Sequence, residues 1–175
     1  MKTKLNQSKL KLAIASAIAL GAAALASPAY AGTSTGSMTV TTSVAMSCSI
    51  TTAPMNFSSY DPTSNADLDA TAIITSTCTS GGATVMTMGQ GANALSGSSV
   101  STPLRAMDDD NDNALAYFLY SNTARDTVWG DSAATGKAIT ASGNADPTTV
   151  YGRIPKGQAA PAGSFSDSVL VTLTY

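Results

Sequence analysis

Few residues in this 175-residue sequence have the chemistry to form a reactive or binding site. The chain contains no His, and its 11 acidic residues are all Asp, so most acid–base and nucleophilic constellations cannot be assembled. The densest group is residues 108–113, DDDNDN. Oxygens at alternate positions are typical of a calcium loop, but Asn113 stands where that loop requires Gly and Leu119 where it requires Glu. A solvated turn is therefore favoured, with weak calcium binding as the alternative.

The single Trp and two neighbouring carboxylates form the second candidate site. Trp129 beside Gly130 could be an exposed aromatic platform for a sugar, but a lone Trp in a β domain more often packs in the core. Asp126 and Asp131 could act as a carboxylate pair, although nothing distinguishes them from surface Asp. No catalytic set emerges, and neither a cofactor nor a metal is expected.

The charge distribution argues against nucleic acid as a partner. Four of the nine Lys and Arg lie in the first eleven residues, so residues 32–175 combine five cations with eleven Asp, a net charge of −6. Nucleic-acid binding requires clustered cations. The arginines are instead scattered, and we assign no catalytic role to Arg105, Arg125 or Arg153. Composition thus disfavours both a nucleic-acid-binding protein and an enzyme.

Residues 1–31 have the layout of a secretory signal peptide. A basic stretch to Lys11 is followed by an apolar run, residues 12–20, and then by small residues that end in Ala29-x-Ala31. The alternative is a membrane-spanning helix, which needs roughly 20 strongly apolar residues, whereas this run is mostly Ala. We expect cleavage before Gly32, which leaves an exported mature chain of 144 residues.

Export changes the interpretation of the only two cysteines, Cys48 and Cys78. An oxidising compartment favours a disulfide, and two cysteines allow a single intramolecular pairing; two free buried thiols are the alternative. Closing a loop of about thirty residues contributes roughly 3–4 kcal/mol in the chain-entropy estimate. Two cysteines without His are too few for a zinc site.

Apolar and polar residues alternate at both ends of the mature chain, which predicts half-buried strands. Near the N terminus the apolar face comprises Met38, Val40, Val44 and Met46, with Thr42 interrupting it. Near the C terminus it comprises Val169, Val171, Leu173 and Tyr175. Shorter strands are predicted at 70–77, 83–88, 116–120 and 148–154, separated by Gly, Pro and Asp turn signals. Many short strands with polar turns predict a single all-β sandwich or barrel.

The N-terminal strand has two interpretations. It follows a Gly/Ser/Thr leader, residues 32–37, and precedes Cys48. It is either the ordinary first strand of the domain or an arm that completes a sheet edge in another subunit. The pattern alone favours the ordinary strand.

Several short motifs, in a fixed order, resemble those of spore coat U domain proteins. The first are Cys48, FSSYDP at 57–62 and CT at 78–79. They continue with RAM at 105–107, YFLY at 117–120, WG at 129–130, VYGRIP at 150–155, Gln158 and AGSFSD at 162–167, which leads into the final strand. The resemblance spans nearly all of the mature chain. One departure is Ser58-Ser59, where the family often has Gly after the Phe.

This family includes the pilins of archaic chaperone–usher pili. The resemblance therefore implies an incomplete immunoglobulin-like sandwich that lacks its final strand and is completed by donor-strand exchange. It also implies a layout of signal peptide 1–31, donor-strand arm 32–47 and pilin domain 48–175. With the resemblance, donation by the arm becomes the favoured interpretation of the N-terminal strand.

The resemblance further implies roles for residues at both ends. The arm residues Met38, Val40, Val44 and Met46 enter an acceptor groove lined by Val169, Val171, Leu173 and Tyr175, and the terminal carboxylate docks on a chaperone. The implied partners are copies of itself or related pilins, a periplasmic chaperone and an outer-membrane usher. The protein passes through the periplasm and ends in a surface fibre that supports adhesion and biofilm formation.

Two other functions remain open at this point. One is a self-contained spore or cell-surface coat protein. The other is a carbohydrate-binding adhesin module, although tip adhesins of such pili usually carry an extra receptor domain, for which 144 residues leave no room.

Overall fold

The computed structural model describes residues 31–175, so the predicted signal peptide lies outside the described residues apart from its last position. The chain divides into a segment that ends at Thr41 and a folded unit, Thr42–Tyr175. Residues 31–47 contain no strand. The alternation at Met38–Met46 therefore does not form the ordinary first strand that the pattern alone favoured.

The described part of the chain is all-β and has no helix, as predicted. The eight strands are β1 (Cys48–Thr52), β2 (Leu68–Cys78), β3 (Ala83–Met88), β4 (Arg105–Asp108), β5 (Ala114–Tyr120), β6 (Lys137–Thr140), β7 (Ala145–Ile154) and β8 (Val171–Thr174). They form a five-stranded sheet in the order β1-β2-β7-β5-β4 and a three-stranded sheet in the order β6-β3-β8. Every strand pair is antiparallel.

The two longest strands, β2 and β7, form the backbone of the larger sheet. They pair continuously from Leu68↔Ile154 to Thr77↔Ala145. Their period-two pattern directs Ile74 and Val150 into the core while alternate residues face outward. The side chains of Met55 and Phe57, which follow β1, pack closely over Gly152 of β7, where a Cβ would force them to shift.

The core lies between the two sheets. Met86 and Met88 of the smaller sheet cluster with Ile74, Leu119 and Val150 of the larger sheet. Trp129 is completely buried among them, and its Nε1–H donates to the carbonyl oxygen of Met86 at 2.8 Å. The burial of Trp129 rejects the exposed sugar platform and confirms the packing role.

Arg105 is a buried cation that joins the two sheets. Its side chain is 1% exposed; Nε donates to the Gly89 carbonyl, and Nη2 donates to the carbonyls of Met88 and Trp129, each at 2.8 Å. Burial lowers the pKa of Arg105 to about 10, so the guanidinium stays charged at neutral pH. Arg105 Nη1 has no hydrogen-bond partner within residues 31–175. Sequence reasoning gave this residue no role because an isolated Arg usually lies at the surface.

The predicted disulfide between Cys48 and Cys78 is present, and neither thiol is free. The two residues lie directly opposite each other at one end of the β1–β2 pair. The bond therefore fixes the first strand of the folded unit to the end of the second.

Candidate functional site

The two sheets leave an opening along one side of the core. On that side β1 is the edge of the larger sheet and β8 is the edge of the smaller sheet. Within the described residues, no strand lies between them. A groove of about 410 Å³ occupies the gap, lined on one side by residues 52–57 and on the other by residues 165–169 and Val171.

The groove continues beyond this first stretch. A second stretch of about 720 Å³ is lined by residues 55–60 and by residues 160–163 with Phe165. The two stretches share Met55, Asn56, Phe57, Met107 and Phe165. The two stretches therefore adjoin, and we call them together the groove.

The floor of the groove is the hydrophobic core itself. Ile74, Met88, Leu119 and Val150 line the groove and are also members of the buried core cluster. These four side chains are only 2% to 5% exposed, so the groove reaches down to the buried core, and a further strand laid in the groove would complete the sandwich.

The β8 side of the groove presents an unpaired main-chain edge. The Leu170 carbonyl accepts from Gly89 N–H at 2.8 Å, and the Ser168 carbonyl accepts from Ala92 N–H at 3.0 Å. Because alternate residues of an extended chain direct their polar groups to opposite sides, Val169 and Val171 direct theirs toward the groove. Such an edge is a template for another strand.

Among the described residues, the β1 side of the groove also presents an unpaired main-chain edge. Ala53 N–H donates to the Ile73 carbonyl at 2.9 Å, and the Ser47 carbonyl accepts from Thr79 N–H at 2.9 Å. By the same alternation, Ile50 directs its main-chain groups away from β2. Both borders of the gap therefore offer free hydrogen-bonding groups to one added strand.

The four predicted groove residues occupy different positions. Val169 and Val171 line the groove with half-buried side chains. Leu173 is half-buried opposite Met86 but does not line the groove, and Tyr175 is 60% exposed. The acceptor role of this set stays a prediction.

Three of the four predicted donor residues are exposed to an unusual degree for apolar side chains. The exposed fractions are 86% for Met38, 83% for Val40 and 80% for Val44. Single exposed apolar residues are common, but three on one face of the same segment suggest a surface that binds a partner. The donor role of these residues also stays a prediction.

Met46 differs from the other three. It is half-buried, and its thioether packs against Gly82. Thr79 fixes the adjacent main chain, because its hydroxyl donates to the Ala45 carbonyl at 3.3 Å and accepts from Ser47 N–H at 3.1 Å. The freely exposed apolar series therefore ends at Val44.

One polar pair crosses the groove between the two sheets. The Tyr117 hydroxyl, on β5, donates to Asp167 Oδ2 at 2.7 Å. Asp167 Oδ1 accepts from the main-chain N–H groups of Ala92, Asn93 and Ser168. Burial, and then the bond to Asp167, raises the pKa of Tyr117, so the phenol stays a donor.

Sequence reasoning missed this pair because its members are 50 positions apart. Both residues lie in motifs that carried the family resemblance, YFLY and AGSFSD. Only the strand order shows that the two motifs meet.

The acidic cluster at 108–113 forms a tight turn. Asp110 and Asp112 adopt left-handed conformations with φ of 61° and 62°, and Asp109 Oδ1 accepts from the N–H groups of Asn111 and Asn113. Within residues 31–175, no group of three or more Cys or Asp side chains is placed to hold a metal ion.

Asp126 and Asp131 are engaged separately. Asp126 accepts from the Asn122 amide and the Thr127 hydroxyl, whereas Asp131 accepts from the Thr87 hydroxyl at 2.9 Å. These contacts are structural. The described part of the chain also has no helix long and apolar enough to cross a membrane.

Known proteins resemble this chain in sequence and in fold. The family model of the Spore Coat Protein U domain matches residues 34–172. Protein U of Myxococcus xanthus is 35% identical over 139 residues, which are 74% of this chain and 78% of that protein.

A solved structure shares the fold. It is the crystal structure of the CsuC–CsuE chaperone–tip adhesion subunit pre-assembly complex from the archaic chaperone–usher Csu pili of Acinetobacter baumannii. The match has a TM-score of 0.53 and 19% identity, and covers 75% of this chain and 40% of the solved chain. This likeness confirms the predicted immunoglobulin-like fold class.

Proposed function

The chain belongs to the spore coat protein U domain family, and from this premise we propose that it is a structural subunit of a secreted chaperone–usher pilus. The arm of one subunit adds a strand to the groove of the next. The observation that carries the proposal is the open groove between β1 and β8, in a chain whose exposed apolar arm has strand periodicity. The similarity in fold to a complex from such pili supports it.

Strand addition stabilises both the groove and the arm. Main-chain groups on the two borders gain partners, and alternate side chains of the arm pack into the groove above the core residues that line it. Burying Met38, Val40 and Val44 contributes about 1.5–3 kcal/mol each before ordering costs. A single arm therefore supplies enough gross free energy for a specific contact.

The geometry of donation favours a filament. Arm and groove are different surfaces of one chain, so donation is a head-to-tail contact. Such contacts need not close into a ring and can propagate as an open fibre.

The proposal includes the route to the surface. The subunit crosses the periplasm, where a chaperone occupies the groove, and is assembled at an outer-membrane usher into a fibre that supports adhesion and biofilm formation. The Cys48–Cys78 disulfide is consistent with an oxidising compartment. The half-buried apolar side chains that line the groove, Phe165, Val169 and Val171, support the need for a chaperone, because exposed apolar surface promotes aggregation.

Charged substitutions in the arm test the proposal. Val40→Asp with Val44→Asp should abolish surface filaments seen by electron microscopy, because two carboxylates cannot enter an apolar groove. The periplasmic level measured by blot should be unchanged, because both side chains are exposed in the free subunit. The matched control is Thr39→Asp with Thr41→Asp, on the opposite face of the same strand, which should retain filaments. Filaments that persist with both Val40 and Val44 changed would contradict donation by the arm.

A self-contained coat protein is the second candidate, favoured by the name of the family and by the similarity to Protein U. In that case the Val40/Val44 double variant is deposited at the surface as efficiently as the wild type. The carbohydrate-binding module loses its supporting residue, because Trp129 is buried.

A further inference from the structure

Thr42 is the one polar residue on the apolar face of the arm. The face reads Met, Val, Thr, Val, Met from position 38 to position 46. If the arm enters the groove, the Thr42 hydroxyl is removed from water together with its apolar neighbours. A buried hydroxyl without a partner is costly, so the groove must offer a hydrogen-bonding group at that position.

The groove has a polar site of this kind between two apolar stretches. Asp167 lies on the groove wall, flanked by Phe165 on one side and by Val169 on the other. Asp167 Oδ2 accepts only the Tyr117 hydroxyl from the described residues, and each carboxylate oxygen has about two acceptor positions. One acceptor position on Asp167 Oδ2 is therefore free, and the Tyr117 oxygen also retains acceptor capacity.

Three other polar residues of the groove are placed less well. Asn56, Ser166 and Ser168 are exposed and alternate with half-buried neighbours, so their side chains are directed away from the core floor. Asp167 has the same parity as Val169 and Val171, whose side chains face the groove.

We propose that Thr42 of the incoming arm hydrogen-bonds to the Tyr117–Asp167 pair of the accepting subunit and thereby sets the register of donation. This inference rests on the proposed function. With antiparallel pairing, as in every strand pair of the fold, Thr42 lies opposite Asp167 and Val40 lies opposite Val169.

The same register also suits the arm residues on either side of Thr42. Met38 lies opposite Val171, and Val44 lies opposite Phe165, so apolar residues meet apolar residues on each side of the polar pair. Met46 falls outside the apolar groove wall, which agrees with its packing against Gly82 of its own subunit. A two-residue slip would place Thr42 among apolar side chains and a Val beside the carboxylate, and both placements are unfavourable.

Disulfide trapping in assembled fibres tests the register. Directly opposite residues of an antiparallel pair have Cα atoms about 4.5–5.5 Å apart, within reach of a disulfide, whereas residues displaced by two positions are about 7–8 Å apart and out of reach. The full-length double variant Val40→Cys/Val169→Cys should give a ladder of multimers on non-reducing gels. The single variants and the wild type should give none.

The outcomes separate the register from the proposed function. A ladder from Val40→Cys/Val171→Cys, a slipped register, or from Val44→Cys/Val169→Cys, a parallel arm, overturns the register while strand donation stands. The absence of a ladder from every pair, together with the absence of filaments, overturns donation itself.

Peptide binding tests the hydrogen bond. The full chain carrying Val40→Asp/Val44→Asp keeps its groove empty, and a synthetic peptide of residues 36–47 serves as the probe. Thr42→Val in the peptide should weaken binding about tenfold or more, as for loss of a hydrogen bond to a charged group, whereas Thr42→Ser should stay close to wild type. Equal or tighter binding of the Val peptide overturns the inference.

A double-mutant cycle locates the partner. With Tyr117→Phe in the accepting chain, the difference in binding free energy between the wild-type and Thr42→Val peptides should change, because groups that share a hydrogen-bond network are coupled. Additive effects overturn the proposed contact. If the empty-groove chain aggregates, the disulfide ladder of Val40→Cys/Val169→Cys with Thr42→Val or Thr42→Ser gives the same comparison in cells: loss with Val and retention with Ser support the inference, and the reverse overturns it.

Discussion

Val40→Ala should weaken the fibre without weakening the subunit. Val40 is 83% exposed in the free chain, and surface substitutions usually change the free energy of unfolding by less than about 0.5 kcal/mol. In the proposed interface the same side chain is buried in the groove. Removing two methyl groups then costs about 1.6 kcal/mol per interface, at about 0.8 kcal/mol for each group. The interface should dissociate about fifteenfold more readily, because about 1.4 kcal/mol is a factor of ten.

The assay compares two measurements on the same pair of proteins. Purified fibres are titrated with guanidinium chloride, and the release of monomer is followed on gels; the subunit is unfolded separately in a chaperone-bound or peptide-complemented form. Thr41→Ala, one position along on the opposite face, is the matched control and should leave fibre dissociation unchanged. Burial of Val40 in the interface is refuted if Val40→Ala and Thr41→Ala have equal effects on the fibre, or if Val40→Ala lowers the stability of the complemented subunit by more than it lowers that of the fibre.

Three further predictions concern the folded unit. Arg105→Met should lower the free energy of unfolding by about 3 kcal/mol or more in a denaturant titration, because buried carbonyls lose their donors. A change below about 1 kcal/mol contradicts the stabilising role of the Arg105 hydrogen bonds. Replacing Cys48 and Cys78 by Ser should lower the free energy of unfolding by roughly 3–4 kcal/mol, because the disulfide closes a loop of about thirty residues. An unchanged midpoint in the denaturant titration contradicts this stabilisation. The bond from Arg153 lowers the pKa of Asp69, so its stabilising contribution is present above the ordinary value of 3.8 and is lost as pH falls through the lower folded value. Asp69→Asn should therefore weaken the dependence of the free energy of unfolding on pH in this acidic range. An unchanged pH dependence contradicts the linkage.

The sequence predicted the long strands because their side chains alternate over many residues. The predictions at 70–77, 83–88, 116–120 and 148–154 fall within β2, β3, β5 and β7. It missed β4 and β6, which have four residues each, because so short a segment cannot display a period. It also missed β1, where the alternation of CSITT is weak.

The N-terminal arm shows the opposite limit. Apolar side chains recur at even positions from Met38 to Met46, interrupted only by Thr42, yet the segment forms no strand in the described chain. Periodicity reports that a segment suits a sheet edge, but it does not say in which molecule that edge lies. The family resemblance, not the pattern, indicated a partner outside the chain.

Contacts between distant motifs could not be predicted at all. Nothing local to Arg105 indicates burial, since its role depends on carbonyls of β3 and of the segment after β5. The Tyr117–Asp167 bond likewise depends on the two sheets meeting across the groove. Such pairs are fixed by strand order, which a single sequence does not specify.

The groove and the arm are two consequences of one missing strand. A sandwich with a further strand between β1 and β8 would cover Val169 and Val171 and leave β8 paired, and an arm of exposed apolar residues would then have no place to bind. Here the groove and, among the described residues, the unpaired edges lie on the same folded unit, while the apolar series lies outside its sheets. Each feature alone is an aggregation hazard. In the proposed donation they are complementary, and because they belong to different surfaces of the same chain, the contact that satisfies both is head-to-tail and need not close.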